Sequence, residues 1–402
     1  LRDLDLWRPT RVGDAINAWV GCESFVTDSG SQVGEYLASL SDDQIQDVLQ
    51  SLSYWVQVWA RLDPISVSGL LCLIERVLLL SEGGTHLSGD VVAEAINHPV
   101  GHATKALICL WDIHQDSGEG KAVKRLMTDL CNPKIDKYLY ARVVLSESLL
   151  AFFFRDQDWT LDHMLPLFDW GSSETEAFCA WCGFLGNPRH SSDLFTHLRE
   201  AFFETQLRLD LFEEGHKEQF VRLLTSVALY HRELLSLQEC QRMFAALAPC
   251  QLITSAYTLS HAMEGAGDKG AEFWHDLWLP FFTDIWPKDQ EKLTPDIGEQ
   301  FASVCIDSHS AFPVAVEALH DYILPVRRSY CTCSDLIEKN HHTIYPQASL
   351  SLVSRLFGDE LDYPVSDLQT ILDGIAEADP TLRETRPYRK LGQLLDQSPY
   401  SQ

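Results

Sequence analysis

The sequence predicts an all-α protein, and three observations support that class. Apolar residues recur at the three- and four-residue spacing of one helix face throughout the chain. No segment shows the alternation of apolar and polar residues that is typical of strands. Short turns rich in Pro, Gly and Asn separate stretches that are long enough for one helix or a helical hairpin. We therefore expect roughly twenty helices.

The predicted helix faces follow one another along the chain, beginning with a face between Asp42 and Arg61. Their apolar residues are Ile45, Val48, Leu49, Leu52, Trp55, Val56 and Trp59, then Phe220, Leu223, Leu224, Val227 and Ala228, then Ala315, Ala318, Leu319, Tyr322 and Ile323, and finally Leu368, Ile371, Leu372 and Ile375. Most of the breaks between helices contain proline, which is favoured just inside a helix start because its missing N–H needs no partner there. The breaks stand at residues 63–64, 82–84, 97–99, 132–133, 186–188, 248–249, 286–287, 345–346 and 379–380.

Helix pairs joined by tight turns over 402 residues favour an irregular α-solenoid of HEAT-like helical hairpins. No strict repeat of fixed period is visible, which excludes a consensus repeat array, and a compact multi-helix globule is the alternative. We expect an N-terminal helical segment at 1–96, central helical repeats at 97–264 and C-terminal helical repeats at 271–402. The glycine-rich stretch 265–270 is the predicted hinge.

Composition narrows the class of partner. Lys and Arg total 31 against 58 Asp and Glu, so the formal charge of −27 repels phosphate and disfavours nucleic acid and anionic membranes. A basic or mixed protein partner suits this charge better, and simple solubility is the plainer explanation of it. The 11 Cys follow no disulfide spacing, and the longest apolar run, Leu149 to Phe154, is too short to span a bilayer. The start of the chain has no signal-peptide pattern, so we expect a cytoplasmic protein. Because the first residue is Leu1 rather than Met, we also expect the chain to be part of a longer protein.

Two short motifs resemble cofactor sites. Gly265 to Gly270 has the spacing of a dinucleotide fingerprint, but no strand precedes it and two acids flank the phosphate position, which favours a helix–helix turn. Cys179 and Cys182 have the spacing of a redox dithiol, yet they lie in an apolar helical stretch, which favours buried packing. The sequence therefore predicts no cofactor.

Two groups of residues could hold a metal. Cys331, Cys333, His341 and His342 supply four zinc-type ligands within twelve residues, although Cys-x-Cys spacing is unusual for zinc and a helix separates the two pairs. His98 and His102 share a helix face, with His114 further along, but the glutamate of a zinc-protease helix is missing. We expect packing and helix-start roles for both groups and predict neither a metal nor a catalytic residue.

Two aromatic clusters could line a binding groove, although aromatic residues at helical spacing more often form a core. The first cluster combines Tyr54 and Trp55 with Trp59. The second consists of Trp274, Trp278 and Trp286, and it is the weak candidate for partner binding because tryptophan is enriched in interface hot spots.

Several segments together resemble the helical C-terminal region of large bacterial antiphage defence proteins, particularly those with an N-terminal sirtuin-like NAD-consuming domain. The similarity covers the chain from about residue 90 onwards. It is carried by residues 97–101, Ala106 to Ile108, Trp111, Phe273-Trp274, Phe281 to Pro287, Ala311 to Ala315, Leu324-Pro325, Leu368 to Asp373, Ile375 to Pro380 and Tyr388 to Leu391. These are structural motifs, so no catalytic residue can be transferred. The resemblance implies a sensor half whose effector enzyme is fused upstream or associates with it.

The predicted function is a non-enzymatic helical sensor that binds a phage protein and controls an attached effector. A structural scaffold or oligomerisation module without a ligand is the alternative. An enzyme with a thiol or metal centre at Cys331, Cys333, His341 and His342 is the third possibility. The sequence does not distinguish the trigger, the effector or the oligomeric state.

Overall fold

The structure, a computed structural model, describes residues 7–62, 67–83, 90–114, 118–325, 330–358 and 366–397. Every regular element in these ranges is helical, which confirms the all-α prediction. The α-helices are α1 (Pro9–Val20), α2 (Glu23–Ala38), α3 (Asp42–Asp47), α4 (Leu49–Leu62), α5 (Val67–Leu80), α6 (Val91–Asn97), α7 (Pro99–His114), α8 (Gly118–Leu130), α9 (Leu139–Glu147), α10 (Leu149–Arg155), α11 (Gln157–Trp159), α12 (Glu174–Gly186), α13 (Ser192–Gln206), α14 (Glu214–Tyr230), α15 (Leu237–Ala246), α16 (Pro249–Gly265), α17 (Gly270–Phe273), α18 (Leu279–Asp284), α19 (Pro295–Asp307), α20 (Phe312–Leu319), α21 (Tyr330–Glu338), α22 (His341–Ile344), α23 (Pro346–Leu356), α24 (Ser366–Ala378) and α25 (Arg386–Gln397).

Local sequence explains where many of these helices begin. Ser41 and Ser236 each form a capping box, in which the hydroxyl accepts a backbone N–H and the side chain three residues later accepts the serine N–H. Proline occupies the first turn of α1, α16, α19 and α23, and the breaks predicted at 248–249 and 345–346 lie at the starts of α16 and α23. Within the described residues, no helix combines the length and apolar character needed to cross a bilayer.

The chain divides into two compact units rather than the three predicted segments. The N-terminal unit is Leu1–Gln219 and the C-terminal unit is Phe220–Gln402, so the boundary falls inside α14. Helix α6, which contains the predicted boundary at 96–97, packs on α7, α9 and α12. The predicted hinge at 265–270 lies inside the C-terminal unit, where α16 packs on α17.

In the N-terminal unit, five helices contact one another in succession: α1, α4, α7, α9 and α12. Helices α2, α5 and α8 pack beside them, and α2 and α8 each contact a member of that row and α5. The approach of α9 and α12 depends on Gly183, because a Cβ there would lie 2.1 Å from the carbonyl oxygen of Val143. The row α4–α7–α9 positions the cleft described below.

In the C-terminal unit, α16 packs on α19, which contacts α20, α21 and α23. Helix α24 then contacts α21, α22 and α23, and α25 packs on α23 and α24. The centre of this unit is aromatic, with Trp274, Trp278 and Phe301 each fully buried.

A π-helical turn followed by Leu-Pro occurs once in each unit. Thr160–Met164 precedes Leu165-Pro166, and Trp274–Trp278 precedes Leu279-Pro280. In both, the N–H of the leucine donates to a carbonyl five residues back, which is the hydrogen bond of a π-helix. The proline has no N–H and its ring crowds the carbonyl four residues back, so an ordinary helix is disfavoured at this point.

Candidate binding cleft

A cleft of about 310 Å³ in the N-terminal unit is bordered by α4, α7 and the end of α9. Its position follows from helix periodicity, because the residues that α4 contributes are spaced three and four apart, as are those of α7. Val58 and Val144 are buried and Ile108 is half-buried, so the floor is apolar. The remaining lining residues are Tyr54, Gln57, Arg61, Lys105, Cys109, Glu147 and Ser148.

The cleft carries more positive than negative charge. Lys105 is half-buried, and in the described chain it has neither an ion-pair partner nor a hydrogen-bond partner. Arg61 binds Glu23 at 2.7 Å, but both side chains are more than half exposed, at 60% and 66%. Such exposed pairs are weak and leave the guanidinium available to a ligand. Against these two cations stands the carboxylate of Glu147, which is exposed.

Gln57 adds an unsatisfied polar atom. Its Oε1 is buried and accepts no hydrogen bond in the structure. A buried acceptor without a donor costs about 1–3 kcal/mol.

Cys109 is a half-buried thiol in the same cleft. Burial raises its pKa above the ordinary value, and the nearby Arg61 guanidinium opposes that rise without cancelling it. The thiol is therefore protonated near neutral pH, which makes it a poor nucleophile. The rate at which Cys109 is alkylated can instead report whether a ligand occupies the cleft.

His102 lies beside the cleft, where it contacts Tyr54 at a ring-centroid distance of 5.5 Å. Its Nδ1 is 3.0 Å from the hydroxyl of Ser53. Burial, with smaller contributions from the positive charges of Lys105 and His98, lowers the pKa of His102 to about 4. The imidazole is neutral at pH 7, so it adds no charge to the cleft.

The arrangement is suited to binding. Two cations, an amide and an aromatic ring surround an apolar floor, and these groups recognise a ligand that has both an anionic and an apolar part. Within the residues that the structure describes, no three His, Cys, Asp or Glu side chains converge on a metal position.

A second cleft, of about 500 Å³, lies beside the π-helical turn of the same unit. Asp129, Asp162 and His163 line it together with Glu176. Glu176 is held by Arg142, which donates to its two oxygens at 2.5 and 2.6 Å while its side chain is 1% exposed. Arg142 also donates to the carbonyls of the turn that follows α8, so this ion pair fastens the turn to α12.

The three tryptophans predicted to bind a partner lie in the core of the C-terminal unit. Trp274 and Trp278 are fully buried and stacked with ring centroids 4.9 Å apart, and Trp286 is 4% exposed. Trp278 and Trp286 both pack against Phe301, at 5.5 and 5.0 Å. The expectation of a groove at these residues is therefore corrected, because a partner has no access to rings that are buried against one another. Trp55 and Trp59 are buried as well.

Among the zinc-type residues of α21 and α22 whose side chains the structure describes, Cys333, His341 and His342, there is no grouping that could hold a metal ion. Cys333 is buried, and the His341 Nε2 is 2.9 Å from the carbonyl of Ile306, a hydrogen bond that occupies this nitrogen. The His342 ring lies against Gly374, where a Cβ would be 2.3 Å from its Cδ2. The side chain of Cys331 lies outside the described residues.

The other motifs have the structural roles that the sequence favours. Residues 265–270 end α16 and begin α17, with Gly267 at a φ of +52°. Cys179 and Cys182 are buried on α12, and burial raises the pKa of Cys179 to about 12. His98 accepts the N–H of Val100 at the start of α7, at 3.2 Å. The side chain of His114 lies outside the described residues.

The sequence analysis missed the cleft, although a signal for it is present. Arg61 continues the helix face of Tyr54, Gln57 and Val58, and Lys105 continues the face of Ile108 and Cys109. A cation that interrupts an apolar face marks a place where that face meets solvent. Which two faces meet was not readable without the packing of α4 on α7.

Comparison with known proteins gives one partial similarity. No family model and no solved structure matches the chain. Over 130 residues it is 35% identical to the "Uncharacterized protein y4cA" of Sinorhizobium fredii. The aligned region is 32% of this chain but only 11% of that relative, so the chain is similar to a small part of a much longer bacterial protein.

Proposed function

We propose that this chain is a non-enzymatic, cytoplasmic sensor module of a larger bacterial antiphage defence protein, in which it binds a phage protein and controls an attached effector. The observation that carries the proposal is the cleft of the N-terminal unit. It offers two cations and an unsatisfied amide above an apolar floor, and its thiol is protonated. These features favour recognition over chemistry.

Two further observations support this function. The similar segment of the Sinorhizobium fredii protein is 11% of that protein, which is the relation expected of one module in a large multidomain chain. The turn and aromatic motifs, such as residues 97–101 and Phe281 to Pro287, resemble the helical region of antiphage defence proteins. A row of helices that each contact mainly their neighbours also suits an α-solenoid, whose surface can engage a protein over a large area.

Control of an effector follows from differential binding. A phage protein that binds one arrangement of the helical module more tightly than another shifts the population towards that arrangement. An effector held inactive by the other arrangement is then released. A phage protein without such a difference in affinity would bind without signalling.

Pull-down tests the proposal directly. The tagged chain is mixed with individually purified phage capsid, portal and tail proteins, and we expect it to retain one of them. A mock mixture without phage protein, analysed by light scattering, measures self-association. Retention of none, while the longer protein that contains this segment still responds to infection, would contradict the proposal. Stable self-association with no phage protein retained would support the scaffold instead.

A further inference from the structure

We infer that the cleft between α4, α7 and α9 is a carboxylate-recognition site that seats an acidic side chain of a protein partner. The inference deepens the proposed function, on which the choice of a protein as the source of the carboxylate rests. The presence of the site can be tested without any phage protein.

Charge is the first argument. The chain has 58 carboxylate side chains and only 31 Lys and Arg, yet exposed lysines such as Lys121 and Lys269 have no ion pair within the described residues, so partial burial is what distinguishes an unpaired lysine here. Lys105 is such a residue within the described chain, and it is half-buried. Partial burial lowers the effective dielectric constant and strengthens its attraction for an anion that enters the cleft.

Placement is the second argument. Arg61 and Lys105 lie on two different helices that pack directly on each other, so the cations are carried by a rigid frame. The contact of Arg61 with Glu23 is exposed and can exchange for a better-placed carboxylate. Glu147 neutralises only one of the two positive charges and also discourages a ligand with several negative charges.

The unsatisfied amide is the third argument, and it favours a peptide. An acidic residue in a peptide carries backbone N–H groups close to its carboxylate. Gln57 lines the cleft and its Oε1, which is buried, accepts no hydrogen bond, so a turn of this amide towards the cleft would let it accept one of these N–H groups. A volume of about 310 Å³ is at the lower limit for small-molecule pockets and accommodates a side chain with its neighbouring backbone.

Alkylation of Cys109 tests the site. Iodoacetate and iodoacetamide react with a thiolate in the same way: the sulfur forms a bond to the CH2 carbon and iodide leaves with the bonding electrons. Only iodoacetate carries a carboxylate. The ratio of the two rates at Cys109, divided by the ratio at the exposed Cys72, therefore measures attraction of a carboxylate into the cleft.

We expect this normalised ratio to be about five- to tenfold above one in the wild-type chain, because a half-buried cation is worth about that factor. Lys105→Gln should reduce it towards one. Lys269→Gln, which removes the same charge from an exposed lysine of the C-terminal unit, should leave it unchanged. A wild-type ratio at or below one overturns the inference without requiring any variant to fold.

Protection of Cys109 from iodoacetamide distinguishes the source of the carboxylate. We expect acetyl-Gly-Glu-Gly-amide to slow alkylation and acetyl-Gly-Gln-Gly-amide to have little effect. Glutarate, which has carboxylates but no N–H, should protect less than the Glu peptide. Equal protection by glutarate would overturn the peptide part of the inference. If the normalised alkylation ratio at Cys109 is raised as expected but no phage protein is retained in the pull-down, the proposed function alone is contradicted. If a phage protein is retained but the ratio is not raised, this site alone is contradicted.

Discussion

The two compact units contain the same backbone feature packed against different neighbours. In the N-terminal unit, the π-helical turn Thr160–Met164 exposes Asp162 and borders a polar cleft above the buried pair of Arg142 and Glu176. In the C-terminal unit, the turn Trp274–Trp278 likewise exposes Asp276, but the two tryptophans at its ends are fully buried and stacked on each other.

The same turn therefore forms beside a buried ion pair in one unit and among stacked tryptophans in the other. Both turns end at a leucine that precedes a proline, and in both the leucine N–H bonds to a carbonyl five residues earlier. The local Leu-Pro pair is what the two have in common. The environment instead decides how each unit stabilises the region, through a buried ion pair in one and aromatic packing in the other.

The largest expected effect is on the buried ion pair. Glu176→Ala leaves the Arg142 guanidinium, whose side chain is 1% exposed, without its counterion. We expect the free energy of unfolding in urea to fall by about 3–5 kcal/mol. Hydrogen exchange should locate the loss in the N-terminal unit. Glu176→Gln, which keeps an acceptor, should cost less; a loss for Glu176→Ala below about 1 kcal/mol, the value for an exposed pair, would contradict the buried pairing.

A smaller effect is expected from pH. The pKa of His102 is about 4 in the folded chain and 6.5 in the reference state, so the unfolded chain binds the proton first as pH falls. Stability contributed by the neutral ring is present above pH 6.5 and is lost as pH falls towards 4. We expect His102 to contribute no more than about 2 kcal/mol of loss between pH 6.5 and 5.

The same direction holds for His98 and His341, whose pKa values are also lowered by burial. His102→Asn, which retains a polar partner for Ser53, should therefore remove only part of the pH dependence. The measurement is the urea midpoint of wild type and variant at both pH values. An unchanged pH dependence in the variant would show that His102 is not the titrating group.

Next in size is a matched pair of tryptophan substitutions, one in each unit. The Trp181 Nε1 donates to the carbonyl of Phe168 at 3.3 Å, whereas the Trp278 Nε1 is buried without a partner. Both rings are fully buried, so replacement by Phe removes similar volume. We expect Trp181→Phe to cost about 1 kcal/mol more than Trp278→Phe, since only the former breaks a hydrogen bond. Urea unfolding measures this difference, and a larger loss for Trp278→Phe would refute it.

The smallest effects are expected at exposed ion pairs. Glu23 pairs with Arg61 in the N-terminal unit, and Glu384 pairs with Arg389 in the C-terminal unit. All four side chains are more than half exposed, so Glu23→Gln and Glu384→Gln should each change stability by less than about 1 kcal/mol. Thermal unfolding of both variants is the check. A clear loss in only one unit would mean that surface charge also separates the two.

Much of the fold was predictable because helix formation is governed by local sequence. The face between Asp42 and Arg61 predicted one helix where the structure has two, α3 and α4, and the proline at position 99 predicted the start of α7. The Leu-Pro pairs at 165 and 279 were visible too, although their effect on the helix was not foreseen. The packing of α6 on α9 and α12 was not predictable, since it joins helices that are separated by other helices along the chain.

The candidate site was less predictable than the fold. Tryptophans 274, 278 and 286 were chosen because their residue type is common at interfaces, yet burial depends on which helices cover them. Lys105 and Arg61 were not predicted as site residues, because charged residues usually lie on a solvated helix face. Only the packing of α4 on α7 shows that these two cations share one cleft.

The sequence by itself determined that this protein is helical, acidic and punctuated by proline turns, because helix propensity, charge and turn chemistry act between residues close in the chain. The tertiary structure alone decided that there are two units, that the tryptophans are buried and that Arg61, Lys105 and Gln57 line one cleft. Those outcomes depend on contacts between helices far apart in sequence. Such contacts are selected by the fit of whole helix faces, which no single segment specifies.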